Sequence, residues 1–329
     1  MAKVFYFIKQ NWFLFGIFIA VLIGNYFSSA VTRINKNGYL ITVLVIIVFF
    51  IQGLTIEREK LFDGLKNIKL HIFILFFIFI FYPLYFFIAV KIFPFINYNE
   101  AIVAGMFALA CLPTTIVLCS VFVGAAGGNV STSLFNIVVS NIMGVFITPI
   151  ILSLLLSRST LALPLSMVLD LLKSLVIRII IPMLIGMIIR NFAIKFIINN
   201  RKKISMVSSF VILVAVCTAF ASSSDSITPG LIKSLYPVFI FLGLTYLFIS
   251  FTVYKTAGLL NFKKEDVIAA VFTSTQKTLS MGITLLTLYF INNQDILGVI
   301  LIPLLFYHPW QILMSSFIAN FLKKRNMKT

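Results

Sequence analysis

A run of polar side chains inside one long apolar segment is the feature of this sequence most able to bind a solute. The run lies between Val271 and Gly282 and contains Thr273, Ser274, Thr275, Gln276, Lys277 and Thr278. A lysine at the centre of a membrane span is unfavourable by about 2.5 to 3.5 kcal/mol on insertion scales, so it needs a function or a buried partner. We therefore predict a polar site in this segment. The alternative for Lys277 is a structural lysine that snorkels or pairs with a buried acceptor.

An earlier apolar segment, residues 100–126, contains a proline beside two hydroxyl groups. Pro113 has no backbone N–H, so the helix is expected to break or bend there and to leave carbonyl groups free. Thr114 and Thr115 follow directly. Because an unwound turn in lipid is tolerated only against protein or a cavity, these residues predict a second part of the polar site.

The next segment, residues 129–156, has polar side chains on one helical face. Ser133, Asn136 and Ser140 follow each other at intervals of three and four residues, which places them on the same side of a helix. Asn141 is adjacent, and we include all four among the candidate residues for binding a substrate or ion. Hydrogen bonding between membrane helices is the alternative for such residues, and it stays open for some of them.

The last apolar segment, residues 295–321, adds His308 and Gln311 to the candidates. His308 directly precedes Pro309. Either the histidine is satisfied by a backbone carbonyl that the proline frees, or it takes part in proton coupling or substrate binding. The residue types leave both interpretations open.

Composition indicates which elements position these side chains. The chain has 329 residues, of which 61% are hydrophobic and 11% charged, which is too little polar surface for a soluble globule. A span needs about 20 apolar residues, and division at charges and turn residues predicts ten helical spans at 11–31, 38–56, 70–92, 100–126, 129–156, 165–190, 204–222, 231–254, 265–291 and 295–321. The runs are continuous rather than alternating, which excludes a barrel. The charged, amphipathic stretch 55–69 predicts a short helix at the membrane surface.

The charge distribution predicts the orientation in the membrane. Of the 26 Lys and Arg residues, 18 fall on one set of alternate loops and termini and 5 on the other, while Lys173, Arg178 and Lys277 lie within spans. This asymmetry places both termini in the cytoplasm. It also explains the net charge of +17 without a nucleic-acid partner.

The acidic and sulfur-containing residues exclude an enzyme. Eight of the nine acids lie in loops or at span ends, and Asp170 stands alone, so no catalytic carboxylate pair is predicted. The three cysteines lack metal-binding spacing and are interpreted as small apolar residues.

The positions of the predicted breaks indicate an internal repeat. The fourth and ninth spans are interrupted, and they occupy the same place in two groups of five spans. An odd number of spans reverses the orientation of the second group. We therefore predict an all-α membrane fold with inverted repeats at 1–156 and 157–329, in which broken helices four and nine cross at the binding site.

Motifs along nearly the whole chain carry a family resemblance. They are Gly53-Leu54-Thr55, Leu70-His71, Leu112-Pro113-Thr114-Thr115, Gly128-Asn129, Gly144 to Pro149, Ser274 to Leu279 with Gly282, and Tyr307 to Ile312. In this order and spacing they resemble the bile acid:sodium symporter superfamily, in particular the branch of member 7 of solute carrier family 10 and its bacterial relatives. The resemblance implies a panel domain from helices 1, 2, 6 and 7, a core domain from helices 3–5 and 8–10, and alternating access by movement of the core against the panel.

The resemblance also implies sodium sites, and here the sequence departs from the family. Sodium-coupled members use a glutamate and a glutamine in helix nine, whereas this chain has Gln276 and no carboxylate there. Of the two hydroxyl groups implied on helix five, only Ser133 is kept, so a sodium site would be a degenerate one at Ser133 and Gln276. An ammonium about 4 Å from a sodium ion is unfavourable by about 4 kcal/mol at an effective dielectric constant of about 20. Coupling to two sodium ions is therefore disfavoured.

Together these observations predict a secondary transporter of this superfamily, multi-pass in a bacterial inner or plasma membrane, which moves a small organic, anionic solute. It has no cofactor, and sodium and the proton are the candidate coupling ions; the oligomeric state stays open. The alternative is a membrane regulator or scaffold that keeps the fold and transports nothing. Lys277 would either replace a sodium ion as a permanent positive charge or carry a proton during the cycle.

Overall fold

The computed structural model describes residues 12–35, 39–56, 64, 67–93 and 99–326, and within them all regular structure is helical. Numbered in chain order, the α-helices are α1 Trp12–Tyr26, α2 Ser28–Ile34, α3 Tyr39–Thr55, α4 Ile68–Phe76, α5 Tyr82–Ile92, α6 Glu100–Cys111, α7 Ile116–Ala125, α8 Val130–Leu155, α9 Leu165–Leu175, α10 Ile181–Ser222, α11 Pro229–Leu259, α12 Lys264–Thr275, α13 Leu279–Tyr289 and α14 Leu297–Asn326. The predicted surface helix at 55–69 falls largely outside the described residues.

Within the described residues, five helical segments are long and apolar enough to cross a membrane, or six if α1 and α2 form one bent span. The angle between α1 and α2 is 95°, so the helix of the first predicted span, 11–31, is sharply bent. The bend lies at Phe27, whose backbone is not helical (φ −110°, ψ 30°). The total of ten spans and the inverted repeats remain predictions.

Residues 191–203, which separate the sixth and seventh predicted spans, are helical. α10 runs through them and departs from helical geometry only at Ala193 (φ −118°, ψ 21°). The stretch is rich in Lys, Arg and Ile and contains no Gly or Pro. Because Lys and Arg are good helix formers, a basic cluster alone does not end a helix.

A proline shapes the connection between α4 and α5. The two helices join through a wide turn at Phe77–Phe81, in which Tyr82 donates its N–H to Phe77 O, five residues back. The next donor in such a turn would be residue 83, which is a proline without an N–H. The carbonyl of Ile78 therefore has no helical donor and is free for another partner.

One compact unit comprises Met1–Ile56, Leu165–Pro229 and Ile283–Leu301. Within it α3 and α10 approach closely, because a Cβ atom on Gly186 would collide with the carbonyl oxygen of Phe50. Arg190 also donates a hydrogen bond across this contact, from Nη1 to Leu54 O at 2.8 Å.

The other compact unit comprises Glu57–Pro164, Gly230–Gly282 and Ile302–Thr329. α7, α8, α12 and α14 pack there around a buried apolar cluster that includes Val123, Ile137, Phe272 and Ala319. All of the contacts of the candidate site lie in this unit.

The close approach of α3 and α10 predicts that a substitution which normally stabilises a helix will destabilise this protein. Ala is better than Gly in a helix by about 0.5 to 1 kcal/mol, yet Gly186→Ala should lower the unfolding temperature of the detergent-solubilised protein, since its methyl group meets the Phe50 carbonyl. Gly258→Ala is the control, because a Cβ atom there meets nothing within 4 Å. Equal unfolding temperatures for the two variants would contradict the close approach.

Candidate functional site

Both interruptions predicted from the sequence are present. α6 ends at Cys111 and α7 begins at Ile116, while α12 ends at Thr275 and α13 begins at Leu279. The connecting residues are extended, with φ −67° and ψ 145° at Leu112 and φ −77° and ψ 140° at Gln276. Residues 112–115 and 276–278 are called the paired breaks below.

The paired breaks contact each other directly. Thr278 donates its backbone N–H to Pro113 O at 3.0 Å. Against the other side of Pro113 lies Gly144 of α8, where a Cβ atom would come within 2.8 Å of the proline ring. A glycine at this position therefore allows the broken segment to lie against α8.

Five successive carbonyl groups at the first break all have donors. They are Ala110 and Leu112, which accept from Lys277 Nζ, Cys111, which accepts from Thr148 Oγ1, Pro113, which accepts from Thr278 N, and Thr114, which accepts from Asn141 Nδ2. An unwound turn leaves such groups without helical partners, and inside a membrane each must be satisfied by protein.

Lys277 is completely buried and surrounded by acceptors. Its Nζ lies 2.9 Å from Ala110 O, 2.8 Å from Leu112 O and 3.5 Å from Ile78 O, and we call these three oxygens the carbonyl cage. The ammonium also lies 4.0 Å above the centroid of the Tyr82 ring, which is within the range of a cation–π interaction. Two of the oxygens belong to the C-terminal end of α6, where the helix dipole favours a cation.

Gln311 fixes the backbone of Lys277. Its Oε1 accepts from Lys277 N at 2.8 Å, and its Nε2 donates to Lys277 O at 2.9 Å. The same Nε2 lies 3.1 Å from His308 Nδ1. Both candidates on α14 therefore belong to the surroundings of the second break.

Two buried tyrosines close the end of α12. The hydroxyl groups of Tyr82 and Tyr307 lie 2.6 Å apart, and their oxygens lie 3.1 and 3.3 Å from Thr275 O, so one hydroxyl donates to the other and the second donates to the carbonyl. Beside them Gln276 Nε2 donates to Ser315 Oγ at 3.0 Å. Thr275 thus contributes its carbonyl to the network, whereas its hydroxyl bonds within α12.

The sodium-site candidates have different partners. Ser133 Oγ lies 2.8 Å from Thr273 Oγ1, and Cys119 Sγ lies 3.4 Å from Ser133 Oγ. Gln276 instead bonds Ser315. The structure therefore gives Ser133 and Gln276 no shared hydrogen-bond partner, and Ser133 lies in a cluster of neutral groups.

The remaining candidates are Thr115, Thr278 and Ser140, and the side-chain hydrogen bonds of the last two are local. Thr115 is half-buried and makes no capping hydrogen bond, and Thr278 Oγ1 lies 3.3 Å from Ser280 Oγ. Ser140 donates within its own helix, to Ile137 O at 3.0 Å. The last of these fits the purely structural alternative considered for polar residues in membrane helices.

Several buried oxygen atoms at the candidate residues have no hydrogen-bond donor among the described residues. They are Thr114 Oγ1, Asn136 Oδ1, Asn141 Oδ1, Ser274 Oγ and Gln276 Oε1. Buried polar atoms are normally satisfied by protein, water or a ligand. These atoms are therefore the groups most available to a polar solute or to water.

Sequence reasoning missed four side chains that complete the site: Tyr82, Thr148, Tyr307 and Ser315. Thr148 follows Asn141 by seven residues, and Ser315 follows Gln311 by four, so both share a helical face with a candidate and could have been found. The ring of Tyr82 beneath Lys277 had no such signal, because the two residues belong to distant segments.

The chain is a multi-pass membrane protein with a buried polar site where two broken helices meet, and this arrangement is typical of secondary transporters. Within the described residues no group of three His, Cys, Asp or Glu residues could hold a metal ion. The arrangement of the broken helices therefore defines the class of protein as a membrane transporter.

The particular family follows from comparison with known proteins. The SBF-like CPA transporter family matches residues 11–324, and the chain belongs to this family. Similar proteins include sodium/bile acid cotransporter 7-B of Xenopus laevis, 28% identical over 96% of this chain and 92% of the relative, and sodium/bile acid cotransporter 7 of Rattus norvegicus, 28% identical over 96% and 93%. Sodium/bile acid cotransporter 7 of Danio rerio is 26% identical over 96% and 94%. These relatives confirm the resemblance seen in the motifs.

The two hydrogen bonds of Gln311 predict a large stability effect. Gln311→Leu leaves the buried N–H and C=O of Lys277 unpaired, at a cost of about 1 to 3 kcal/mol for each group, so the unfolding temperature should fall markedly. Gln294→Leu is the control, because the Gln294 side chain donates long bonds of 3.3 and 3.4 Å to Thr287 O and Phe290 O. Similar unfolding temperatures for both variants in a thermal-shift assay would show that Gln311 does not fix the break.

Proposed function

We propose that this transporter moves a small organic anion by alternating access and does not use sodium. The observation that carries the proposal is the Lys277 ammonium in the carbonyl cage. The relatives named above are sodium/bile acid cotransporters, and bile acids are organic anions, which supports this class of substrate.

The carbonyl cage has the chemistry of a cation site. Backbone carbonyl oxygens are ligands for metal cations, and here three of them converge on one positively charged nitrogen. A sodium ion placed nearby would lose these ligands to the ammonium and would be repelled by it. Lys277 therefore supplies permanently the positive charge that an imported ion would supply.

The geometry favours the charged form of Lys277 over the proton-carrying alternative. An ammonium has three N–H donors for the three oxygens of the carbonyl cage. A neutral amine would keep two donors and would turn a lone pair toward the third oxygen. Loss of the proton would thus leave a buried acceptor unpaired, which is unfavourable.

The anionic solute is attracted by helix ends rather than by direct contact with the ammonium. All three Lys277 donors are used inside the protein, so none is left for a substrate. α7 begins at Ile116, the amide groups of a first helical turn lack helical acceptors, and the Thr115 side chain makes no capping bond. The positive end of this half-helix is a suitable place for an anion.

The residue ranges of the two compact units support the predicted panel and core domains. The smaller unit contains the first, second, sixth and seventh predicted spans, as proposed for the panel, and additionally takes residues 283–301. We keep ten spans, inverted repeats, cytoplasmic termini and a bacterial inner or plasma membrane as parts of the proposal. The charge asymmetry between the loops supports the orientation.

The proposal predicts sodium-independent uptake that depends on Lys277. In proteoliposomes, uptake from a panel of labelled organic anions that includes taurocholate should be the same in sodium and in potassium buffer. Lys277→Gln removes the charge and leaves carbonyl groups unpaired, so uptake should fall at least tenfold, equivalent to about 1.4 kcal/mol or more. Lys173→Gln is the control, because Lys173 is 78% exposed and pairs only with Asp170.

Two results would contradict this proposal. Saturable stimulation of wild-type uptake by sodium would exclude the permanent cation. Normal uptake by Lys277→Gln, inserted at the wild-type level, would leave Lys277 with the structural role alone.

Chemical rescue tests the cation directly. Lys277→Ala removes the ammonium and most of its side chain, so the space beside the carbonyl cage could accept a small cation. Methylammonium should then restore part of the lost uptake in Lys277→Ala but not in Lys277→Gln, whose side chain still fills the space. No rescue of Lys277→Ala by methylammonium, despite normal folding, would count against the charge as the essential property of Lys277.

A further inference from the structure

A second buried polar site lies on α4 and α8, away from the paired breaks. His71 of α4 is 7% exposed, and its Nδ1 lies 2.8 Å from Asn136 Nδ2 of α8. The imidazole packs against the ring of Phe135, with 4.5 Å between the centroids. The function proposed above makes no use of this histidine.

The hydrogen bonds define the tautomer of neutral His71. Asn136 Nδ2 also lies 2.9 Å from Thr132 O, which can only accept. The amide nitrogen therefore donates one hydrogen to Thr132 O and the other to His71 Nδ1. Since Nδ1 accepts, the proton of the neutral ring lies on Nε2.

One donor and one acceptor of this pair remain without partners. Neither His71 Nε2 nor Asn136 Oδ1 has a hydrogen-bond partner among the described residues, although both atoms are buried. A buried donor and a buried acceptor on two side chains in contact form a site that a water molecule can bridge. Such a site can also deliver a proton to the ring.

A carboxylate lies one helical turn from His71. Asp266 of α12 is 6% exposed and accepts from Asn67 Nδ2 at 3.0 Å and from Asn129 Nδ2 at 2.9 Å. Asn67 precedes His71 by four residues, and Asn129 precedes Asn136 by seven, so the two amides continue the same faces of α4 and α8. Asp266 thus bonds one side chain on each of the two faces that carry His71 and Asn136.

The helices packed against α4 contribute few charges near His71. α8 has no titratable side chain along its length, and on α12 the titratable residues besides Asp266 are Lys264 and Glu265, which are exposed. Lys69 of α4 itself is exposed and donates to Leu260 O. Among the described residues of these helices, Asp266 is therefore the buried charged side chain.

We propose that His71 and Asn136 form the proton-binding site of the transport cycle. Protonation of His71 changes the hydrogen bonds of the Asn136 amide and thereby affects α8. The proposal rests on the sodium-independent transport proposed above and assigns the proton as the coupling ion. This site gives a function to the buried donor His71 Nε2 and the buried acceptor Asn136 Oδ1, which take no part in the contacts of the paired breaks.

Protonation of His71 requires Asn136 to change its hydrogen bonds. In the imidazolium both ring nitrogens are donors, so Nδ1–H would face the Asn136 NH₂ group, donor against donor, at 2.8 Å. Rotation of the amide presents Oδ1, which has no other donor, to the ring. The rotation exchanges the bond to Thr132 O for a charge-assisted hydrogen bond to the imidazolium, which is the stronger of the two.

The first arm of the test observes the proton on the ring. The chain has two histidines, so NMR of protein labelled with ¹⁵N-histidine in nanodiscs gives two imidazole rings, and His71→Gln assigns them. The proposal expects the His71 ring to change from the Nε2–H form to the doubly protonated form as the pH is lowered. The side-chain amide signal of Asn136 should shift over the same range. A ring that keeps one protonation state throughout overturns the proposal.

The second arm measures the effect on transport. An inward proton gradient should accelerate taurocholate uptake by the wild type, by up to about tenfold per pH unit where one bound proton limits the rate. His71→Gln should lose this pH dependence, while Lys69→Gln, which removes an exposed charge on the same helix, should keep it. If the ring titrates but His71→Gln keeps the wild-type pH dependence, the site is not the coupling site.

A third variant keeps the test decisive if His71→Gln does not fold. Asn136→Asp places a carboxylate beside His71 and should move the midpoint of the ring titration up by at least about one pH unit. No movement of the midpoint overturns the proposal. If no anion of the panel is taken up by any form, the proposed substrate class fails, and the NMR arm decides the proton site independently.

Discussion

The hydrogen bonding of a buried ammonium to backbone carbonyls is the interaction on which the arrangement of the broken helices depends. Breaks in membrane helices leave carbonyl groups that water cannot reach, and each must find a donor in the protein. Lys277 satisfies Ala110 and Leu112 at one break and Ile78 at the wide turn before Pro83. One side chain thus stabilises irregular backbone in α6, in the turn after α4 and in its own segment.

The breaks could be predicted from sequence because their causes are local. Pro113 cannot continue a helix, and six consecutive polar residues cannot all face lipid. Their partners could not be predicted with the same certainty, because Tyr82 and Thr148 reach the breaks only through the tertiary fold. Spacing along one helix shows which side chains share a face, but not which other helix that face contacts.

The helix end predicted at residue 190 is incorrect for a physical reason. The division into spans used charges as ends of helices, whereas charges end a membrane crossing and not the helix itself. α10 therefore continues through the basic residues at 191–203, and its departure from helical geometry at Ala193 has no Gly or Pro signal. The bend at Phe27 has no Pro either, so neither feature follows from helix propensity.

The permanent cation proposed at the breaks would separate two tasks that one ion performs in a sodium-coupled transporter. A bound sodium ion stabilises the site, and it also transfers energy because it enters on one side and leaves on the other. Lys277 can perform the first task, but a charge that never dissociates has the same chemical potential on both sides and cannot drive accumulation. Concentrative transport would thus require a second group whose ligand is exchangeable. A buried histidine with an unpartnered donor meets that requirement, because a proton can be bound and released without loss of the fold.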